Sequence, residues 1–197
     1  MKILYVDSSV REDSRTKRLT QHFLDGFSHD KVEIKEIKLS NENIQPLTME
    51  SLERRTYLTE QGNFEEPTFH YAKDYADADM IVICAPYWDL SFPAVLKTYI
   101  EAINVNGIVF KYDEKGNIIG LCNAKRLVYL TTSGGKVISD DYGFGYIEAL
   151  AKNFHGIKEV DYIKAEELDI IGADIEKILE KAENKIDKLI EKINKDD

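Results

Sequence analysis

Three stretches of the sequence, "ILYV" from Ile3, "MIVICA" from Met80 and "LVYL" from Leu127, contain no charged side chain at any position. A strand with one wet face alternates apolar and polar residues, so short uninterrupted runs of this kind belong to strands covered on both faces. Strands are predicted over Lys2 to Val6, Val32 to Ile37, Met80 to Ala85, Leu127 to Thr131 and Val160 to Ala165, with helical spacing between them. Strands that alternate with crossing helices pair in parallel. The predicted fold is therefore α/β: a three-layer sandwich with a five-stranded parallel sheet and helices on both faces. Gly62 and Pro67 break the stretch between the second and third strands into two shorter helices. From Asp174 onward, Ile175, Ile178, Leu179, Ala182, Ile186, Leu189, Ile190 and Ile193 form one apolar stripe among Lys and Glu, the pattern of an amphipathic closing helix.

With 197 residues and 43% hydrophobic content, the chain is sized for a single domain spanning 1–197. The formal charge of -10 repels polyanions, which argues against nucleic acid or an anionic membrane as a partner. No apolar run is long enough to span a bilayer and no leader pattern precedes the first strand, so the expected location is cytoplasmic. Cys84 and Cys122 have neither metal-ligand nor redox spacing, and Cys84 reads as a small core residue. No metal site is expected.

Ligands of open parallel sheets bind beyond the carboxyl ends of the strands, which directs attention to the loops after the first, third and fourth strands. The first, "DSSVREDSRTKR" from Asp7 to Arg18, holds four hydroxyls and four basic residues without a glycine. It lies where a strand passes into a helix carrying Leu19, Phe23 and Phe27, a position that favours an anion. The plainer alternative is that Asp13 or Ser14 only caps that helix. After the third strand, Pro86 stops the run, Tyr87-Trp88-Asp89-Leu90 forms a loop with the only tryptophan, and a helix starts at about Pro93. Trp88 could equally be a core plug and Asp89 a helix cap. After the fourth strand, "TTSGGKV" places Gly134 and Gly135 where backbone N–H groups can approach a ligand, or where the chain simply turns. Together the three loops fit a flat ring system with a phosphate tail. The segment from Asn104 to Lys125 is too long for a plain connection, and "GIVFKYDEKGNIIG" within it reads as a hairpin closing on Lys115-Gly116. Its Phe110 and Tyr112 are candidates for a substrate pocket or for covering one edge of the core.

These motifs in combination resemble the flavodoxin-like NAD(P)H:quinone oxidoreductases, and among them the FMN-dependent NADH-azoreductases. The resemblance rests on Ser8-Ser9 followed by Ser14-Arg15-Thr16, on "ADADMIVICAPYWDLSFPAVLKTYIEAI", on the "GIVFKY" hairpin with its Gly116 turn, and on "TTSGG". It implies strand order 2-1-3-4-5, FMN as cofactor and NADH or NADPH as electron donor. Carried over by position, it places the FMN phosphate on Ser9, Ser14, Arg15 and Thr16. It places the flavin ring between Tyr87, Trp88, Asp89 and Leu90 on one side and Thr132, Ser133, Gly134 and Gly135 on the other. It implies a homodimer with the hairpin and the helix after the third strand at the interface. The implied reaction is reduction of a quinone or azo compound in two half-reactions of ping-pong order, with no catalytic side chain assigned.

The sequence departs from the family in places. Asp89 stands where azoreductases usually have Asn, which places a carboxylate near the ring. Ser133 stands where some relatives carry Arg, leaving Lys136 or backbone dipoles to supply positive charge. Glu12 and Asp13 add negative charge beside the phosphate loop, offset by Arg11, Arg15, Lys17 and Arg18. Two other classes compete. A phosphoacceptor receiver domain needs a carboxylate at the end of the third strand, where Ala85-Pro86 stands. A flavodoxin-type electron carrier would share the fold but exchange electrons with protein partners rather than with NAD(P)H. A Rossmann dehydrogenase is disfavoured, since "GFGYIE" at Gly143 lacks the third glycine and does not directly follow a strand.

Overall fold

In the computed structural model, Ile3 and Tyr5 face one helical layer while Leu4 and Val6 face the other, which is why the first strand can be apolar throughout. The structure describes residues 1–27 and 31–196. In chain order its elements are β1 (Lys2–Asp7), α1 (Arg15–Asp25), β2 (Glu33–Lys38), α2 (Met49–Glu60), α3 (His70–Asp77), β3 (Met80–Cys84), α4 (Ala94–Ile103), β4 (Phe110–Tyr112), β5 (Ile118–Gly120), β6 (Arg126–Thr132), α5 (Phe144–Leu150), β7 (Glu159–Ala165) and α6 (Ile175–Asp196). The main sheet is five-stranded and parallel in the order β2-β1-β3-β6-β7. With the hairpin strands β4 and β5 set aside, this is the expected 2-1-3-4-5 order. Strand boundaries agree with the sequence reading to within a residue at either end.

Two cores lie on opposite faces of the sheet. Leu19 and Phe23 of α1 pack with Leu179, Ala182 and Ile186 of α6 on one side. Ala72 and Tyr75 of α3, Leu96, Tyr99 and Ile103 of α4 and Ile147 of α5 pack on the other. Phe23 is fully buried and meets Phe27 edge to face at 5.1 Å between ring centroids. Truncating such a ring to alanine costs about 3–5 kcal/mol. β2, at one end of the sheet, reads "EIKEIK", and its charged side chains protect an exposed edge from pairing with another chain.

β4 and β5 pair antiparallel about a turn in which Asp113 Oδ1 accepts from the N–H groups of Lys115 and Asn117, both at 2.8 Å. Gly116 sits there at φ 81, the left-handed region that glycine enters without steric cost. Phe110 turns inward onto Phe154 (5.3 Å between centroids), so the hairpin is folded back on the body of the molecule.

Candidate functional site

The site forms where β1, β3, β6 and β7 end. At the end of β1 the Asp7 side chain is fully buried, and its Oδ1 accepts from Ser9 N–H (2.8 Å) and Ser9 Oγ (2.6 Å). Ser8 donates through both N–H (2.9 Å) and Oγ (2.8 Å) to the carbonyl of Cys84 at the end of β3. The serine pair thus fastens the loop to the sheet edge. Ser14 is the N-cap of α1, its Oγ 3.4 Å from the Lys17 N–H, so the capping role foreseen for it is real. The N–H groups of Arg15 and Thr16, in the first turn, have no acceptor within the helix and point out of its positive end.

The hydroxyls are divided unequally. Ser9 lines the cavity, but its hydroxyl proton goes to Asp7. Thr16 is fully buried, with Oγ1 2.6 Å from Thr132 Oγ1. The Ser14 hydroxyl accepts from the backbone and keeps its own proton for a ligand. The four hydroxyls are therefore not equivalent, and the backbone and hydroxyl donors left without a protein acceptor at this end are the helix N–H groups and the Ser14 hydroxyl. Of the basic residues, Arg11 lines the cavity, whereas Arg15 donates to Asp169 Oδ1 (2.7 Å) and to the Leu168 carbonyl (3.3 Å). Arg18 is directed away, to Glu176 (2.8 Å) and Glu183 (3.0 Å) of α6, and Glu12 is taken by Lys38 (2.6 Å).

Trp88 and Ser91 exchange backbone hydrogen bonds (3.0 and 2.7 Å) around Asp89 at φ 49 and Leu90 at φ 69. Two consecutive left-handed residues make a type I′ turn, which glycine and asparagine favour. Holding leucine there stores about 1–3 kcal/mol of strain, a cost borne mostly at functional turns. This geometry removes the plainer readings of the loop. Trp88 is 44% exposed rather than a core plug, and α4 begins behind Pro93 without a side-chain cap. Tyr87 N–H donates to the Thr132 carbonyl (3.0 Å), and its hydroxyl accepts from Ile138 N–H (3.3 Å).

The glycine loop is braced by the loop after β7. Leu168 N–H donates to the Ser133 carbonyl (3.1 Å), Asp169 N–H to that of Gly134 (2.9 Å) and Glu167 N–H to that of Gly135 (3.1 Å). A Cβ on Gly134 would lie 2.3 Å from Asp169 Oδ2, so any larger residue there obliges the exposed Asp169 side chain to move. Lys136 extends toward Glu167 at 3.9 Å with a largely exposed side chain.

These loops enclose a cavity of about 290 Å³ lined by Ser9, Ser14, Arg15, Thr16, Tyr87, Trp88, Thr132, Ser133 and Gly134, nine of the twelve cofactor residues expected from the sequence. Asp89 and Leu90 lie at the exposed turn beside it and Gly135 just past it; none of the three lines it. Neither candidate substrate-pocket residue reaches it. Phe110 is a core side chain at 8% exposure because the hairpin packs inward, and Tyr112 stands exposed on the hairpin. Leu168 and Asp169 line the cavity and were not foreseen. The signal was available, since the loop after the fifth strand also opens at the carboxyl edge.

Among the described residues no group of His, Cys, Asp or Glu is arranged to hold a metal. Burial pushes both thiols upward, that of Cys122 to about 12, so neither is a thiolate nucleophile near neutral pH. Asp7 is sealed beneath Ser9 and the chain at the end of β3 is the buried Ala85, which leaves no acceptor carboxylate of the receiver type.

A family profile described as the flavodoxin-like fold matches residues 1–190. The chain belongs to this flavodoxin-like family. It is 37% identical over 185 residues to an FMN-dependent NADH:quinone oxidoreductase of Coprothermobacter proteolyticus, covering 89% of this chain and 91% of that protein. It is 35% identical over 190 residues to one of the same name from Clostridium beijerinckii, covering 93% and 95%. Among solved structures, an azoreductase from Bacillus anthracis str. Sterne superposes with a TM-score of 0.83 at 23% identity over 97% of this chain and 99% of that one. An FMN-dependent NADH-azoreductase from B. anthracis str. Ames Ancestor, in complex with FMN, gives 0.81 at 21% identity over 98% of each chain. In this flavodoxin-like protein, the donor set at the start of α1 fits a phosphate, and the exposed indole opposite Gly134 fits a flat ring.

Proposed function

We propose that the chain is an FMN-dependent NAD(P)H oxidoreductase that reduces quinones or azo compounds. The observation that carries this reading is the coincidence of a relative named FMN-dependent NADH:quinone oxidoreductase, aligned over nine-tenths of the chain, with one cavity that joins a helix N-terminus to an exposed tryptophan. Bound there, FMN supplies the hydride chemistry, and the chain supplies position and electrostatics. Ser14, the N–H groups of Arg15 and Thr16, and Arg11 hold the phosphate; Ser9 and Thr132 brace those groups; Tyr87, Trp88, Ser133 and Gly134 border the ring, with Asp89, Leu90 and Gly135 at its rim.

Donor and acceptor use the same open face in turn, which makes the order ping-pong. NADH or NADPH serves as donor, residues 1–197 form one FMN-binding domain, and the location is cytoplasmic. No helix among the described residues is long and apolar enough to cross a membrane. A two-fold dimer covers the exposed Tyr112 and Ile119 of the hairpin and Leu90 of the turn.

Three measurements test the proposal. Anaerobic NAD(P)H is expected to bleach the FMN-loaded protein, and a quinone to restore its colour with no protein partner. Double-reciprocal plots at several acceptor concentrations are expected to be parallel, and light scattering at micromolar concentration to give twice the chain mass. Slow bleaching that only a reductase protein accelerates would establish the electron-carrier alternative instead.

A further inference from the structure

Arg15 and Asp169 both line the cavity, although 154 residues separate them in the chain. Arg15 opens α1, and Asp169 lies in the loop after β7. The guanidinium makes this contact through one nitrogen alone: Nη1 donates to Asp169 Oδ1 (2.7 Å) and to the Leu168 carbonyl (3.3 Å). Nε and Nη2 have no acceptor among the described residues, so their hydrogens stay uncommitted at the cavity wall.

The carboxylate that holds Arg15 is itself fixed. Asp169 N–H donates to the Gly134 carbonyl (2.9 Å) and Leu168 N–H to that of Ser133 (3.1 Å). Asp169 Oδ2 lies only 2.3 Å from the point where a Cβ on Gly134 would stand, so the side chain rests against the glycine and turns its other oxygen to Arg15. Residues 168–169 thus join the first turn of α1 to the glycine loop across the cavity. An ion pair whose side chains are 38% and 71% exposed adds little to stability. What it fixes is direction, since anchoring one end of a planar guanidinium sets where its other end points.

We propose that Asp169 is a positioning residue for the cofactor: by holding Nη1 it orients Arg15 so that Nε and Nη2 serve the flavin phosphate. The inference rests on the proposed function for FMN as the occupant. Simple charge makes the opposite demand. Asp169 is an anion at the phosphate end, and if it had no hold on Arg15 its removal would strengthen the attraction for a phosphate. Orientation and repulsion therefore have opposite signs in a binding measurement.

Riboflavin is FMN without the phosphate. The ratio of the riboflavin Kd to the FMN Kd, each measured by flavin fluorescence on addition of the cofactor-free protein, isolates the phosphate contribution and cancels any general damage to the ring site. Asp169→Ala is expected to lower that ratio about fivefold or more, a part of what one hydrogen bond to a charged group contributes. Asp169→Asn, which keeps an acceptor oxygen for Nη1, should retain more of it, and a loss as deep as in Asp169→Ala counts against the proposal. In an Arg15→Met background, Asp169→Ala should no longer lower the ratio. A ratio that is unchanged or raised in Asp169→Ala, or one that falls equally with and without Arg15, overturns the proposal. Bleaching of the FMN-loaded protein by NAD(P)H is read separately. Its absence where the ratio responds as expected removes the proposed function and leaves the positioning of Arg15 standing, whereas a chain that binds no FMN overturns both.

Discussion

The hydroxyl oxygens of Thr16 and Thr132 lie 2.6 Å apart although 116 residues separate them in the chain. One belongs to the first turn of α1 and the other ends β6, so a single buried hydrogen bond ties the phosphate loop to the glycine loop. Either hydroxyl can donate, and removing one leaves the other without its partner at the buried edge of the cavity. Thr16→Val is therefore expected to lower stability by about 1–2 kcal/mol. A urea double-mutant cycle with Thr132→Val should give a coupling of about 0.5 kcal/mol or more, and strict additivity would mean that the bond contributes nothing.

Cofactor affinity separates bracing from contact. The Ser14 hydroxyl proton is uncommitted, so Ser14→Ala is expected to weaken FMN binding about tenfold or more, the equivalent of one hydrogen bond to a charged group. Thr16→Val should weaken it by less than tenfold. Fluorescence titration of the cofactor-free variants measures both, and the reverse ranking would make Thr16 the direct contact.

Gly134 and Asp169 form a second long-range pair. A Cβ on Gly134 would meet Asp169 Oδ2 at 2.3 Å, and the same carboxylate holds Arg15 through Oδ1. Gly134→Ala should cost about 1 kcal/mol, at the low end for overpacking because the Asp169 side chain is exposed and can swing away. The double variant Gly134→Ala/Asp169→Gly should regain most of that loss. If it does not, the clash is with the backbone rather than with the carboxylate.

His155 makes stability depend on pH. Its Nδ1 faces the Tyr75 hydroxyl (3.0 Å) and its Nε2 faces Asn104 Oδ1 (2.8 Å), and burial lowers its pKa to about 4. The Asn104 oxygen can only accept, so Nε2 carries the proton and Nδ1 accepts from tyrosine. The unfolded chain protonates this ring near pH 6.5, so on acidification it binds a proton that the folded state refuses. Full stability is present above about pH 6.5 and is lost toward pH 4 by up to about 3 kcal/mol. Melting temperatures across that range should fall less steeply for His155→Gln than for the unmodified protein.

Trp88 supplies an optical test of the ring position. It stands 44% exposed at the cavity wall, so FMN binding should quench most of its emission. Emission indifferent to FMN would remove the flavin from this wall.

The sequence alone determined the layers, because a strand covered on both faces must be apolar at every position and a helix over a sheet must repeat its apolar residues at helical spacing. "ILYV", "MIVICA" and "LVYL" are buried from both faces as that pattern demands, and the stripe from Ile175 to Ile193 packs on the face that Ile3, Tyr5, Met80 and Val82 share. It also directed attention to the loops that form the cavity, since the carboxyl edge of such a sheet is where loops converge, and the family resemblance then placed nine of the residues that line it. The tertiary structure alone decided how each hydroxyl and charge is used. Whether Ser9 serves Asp7, Thr16 serves Thr132 or Arg15 serves Asp169 depends on partners that are brought near only when the strands pair. The inward turn of Phe110 was hidden for the same reason: a three-residue strand with one buried ring reads identically whether its hairpin folds onto its own chain or projects outward. Local periodicity encodes which side of an element is apolar; the pairing of polar groups is a long-range property, set by a fold that one hydrogen bond does not determine.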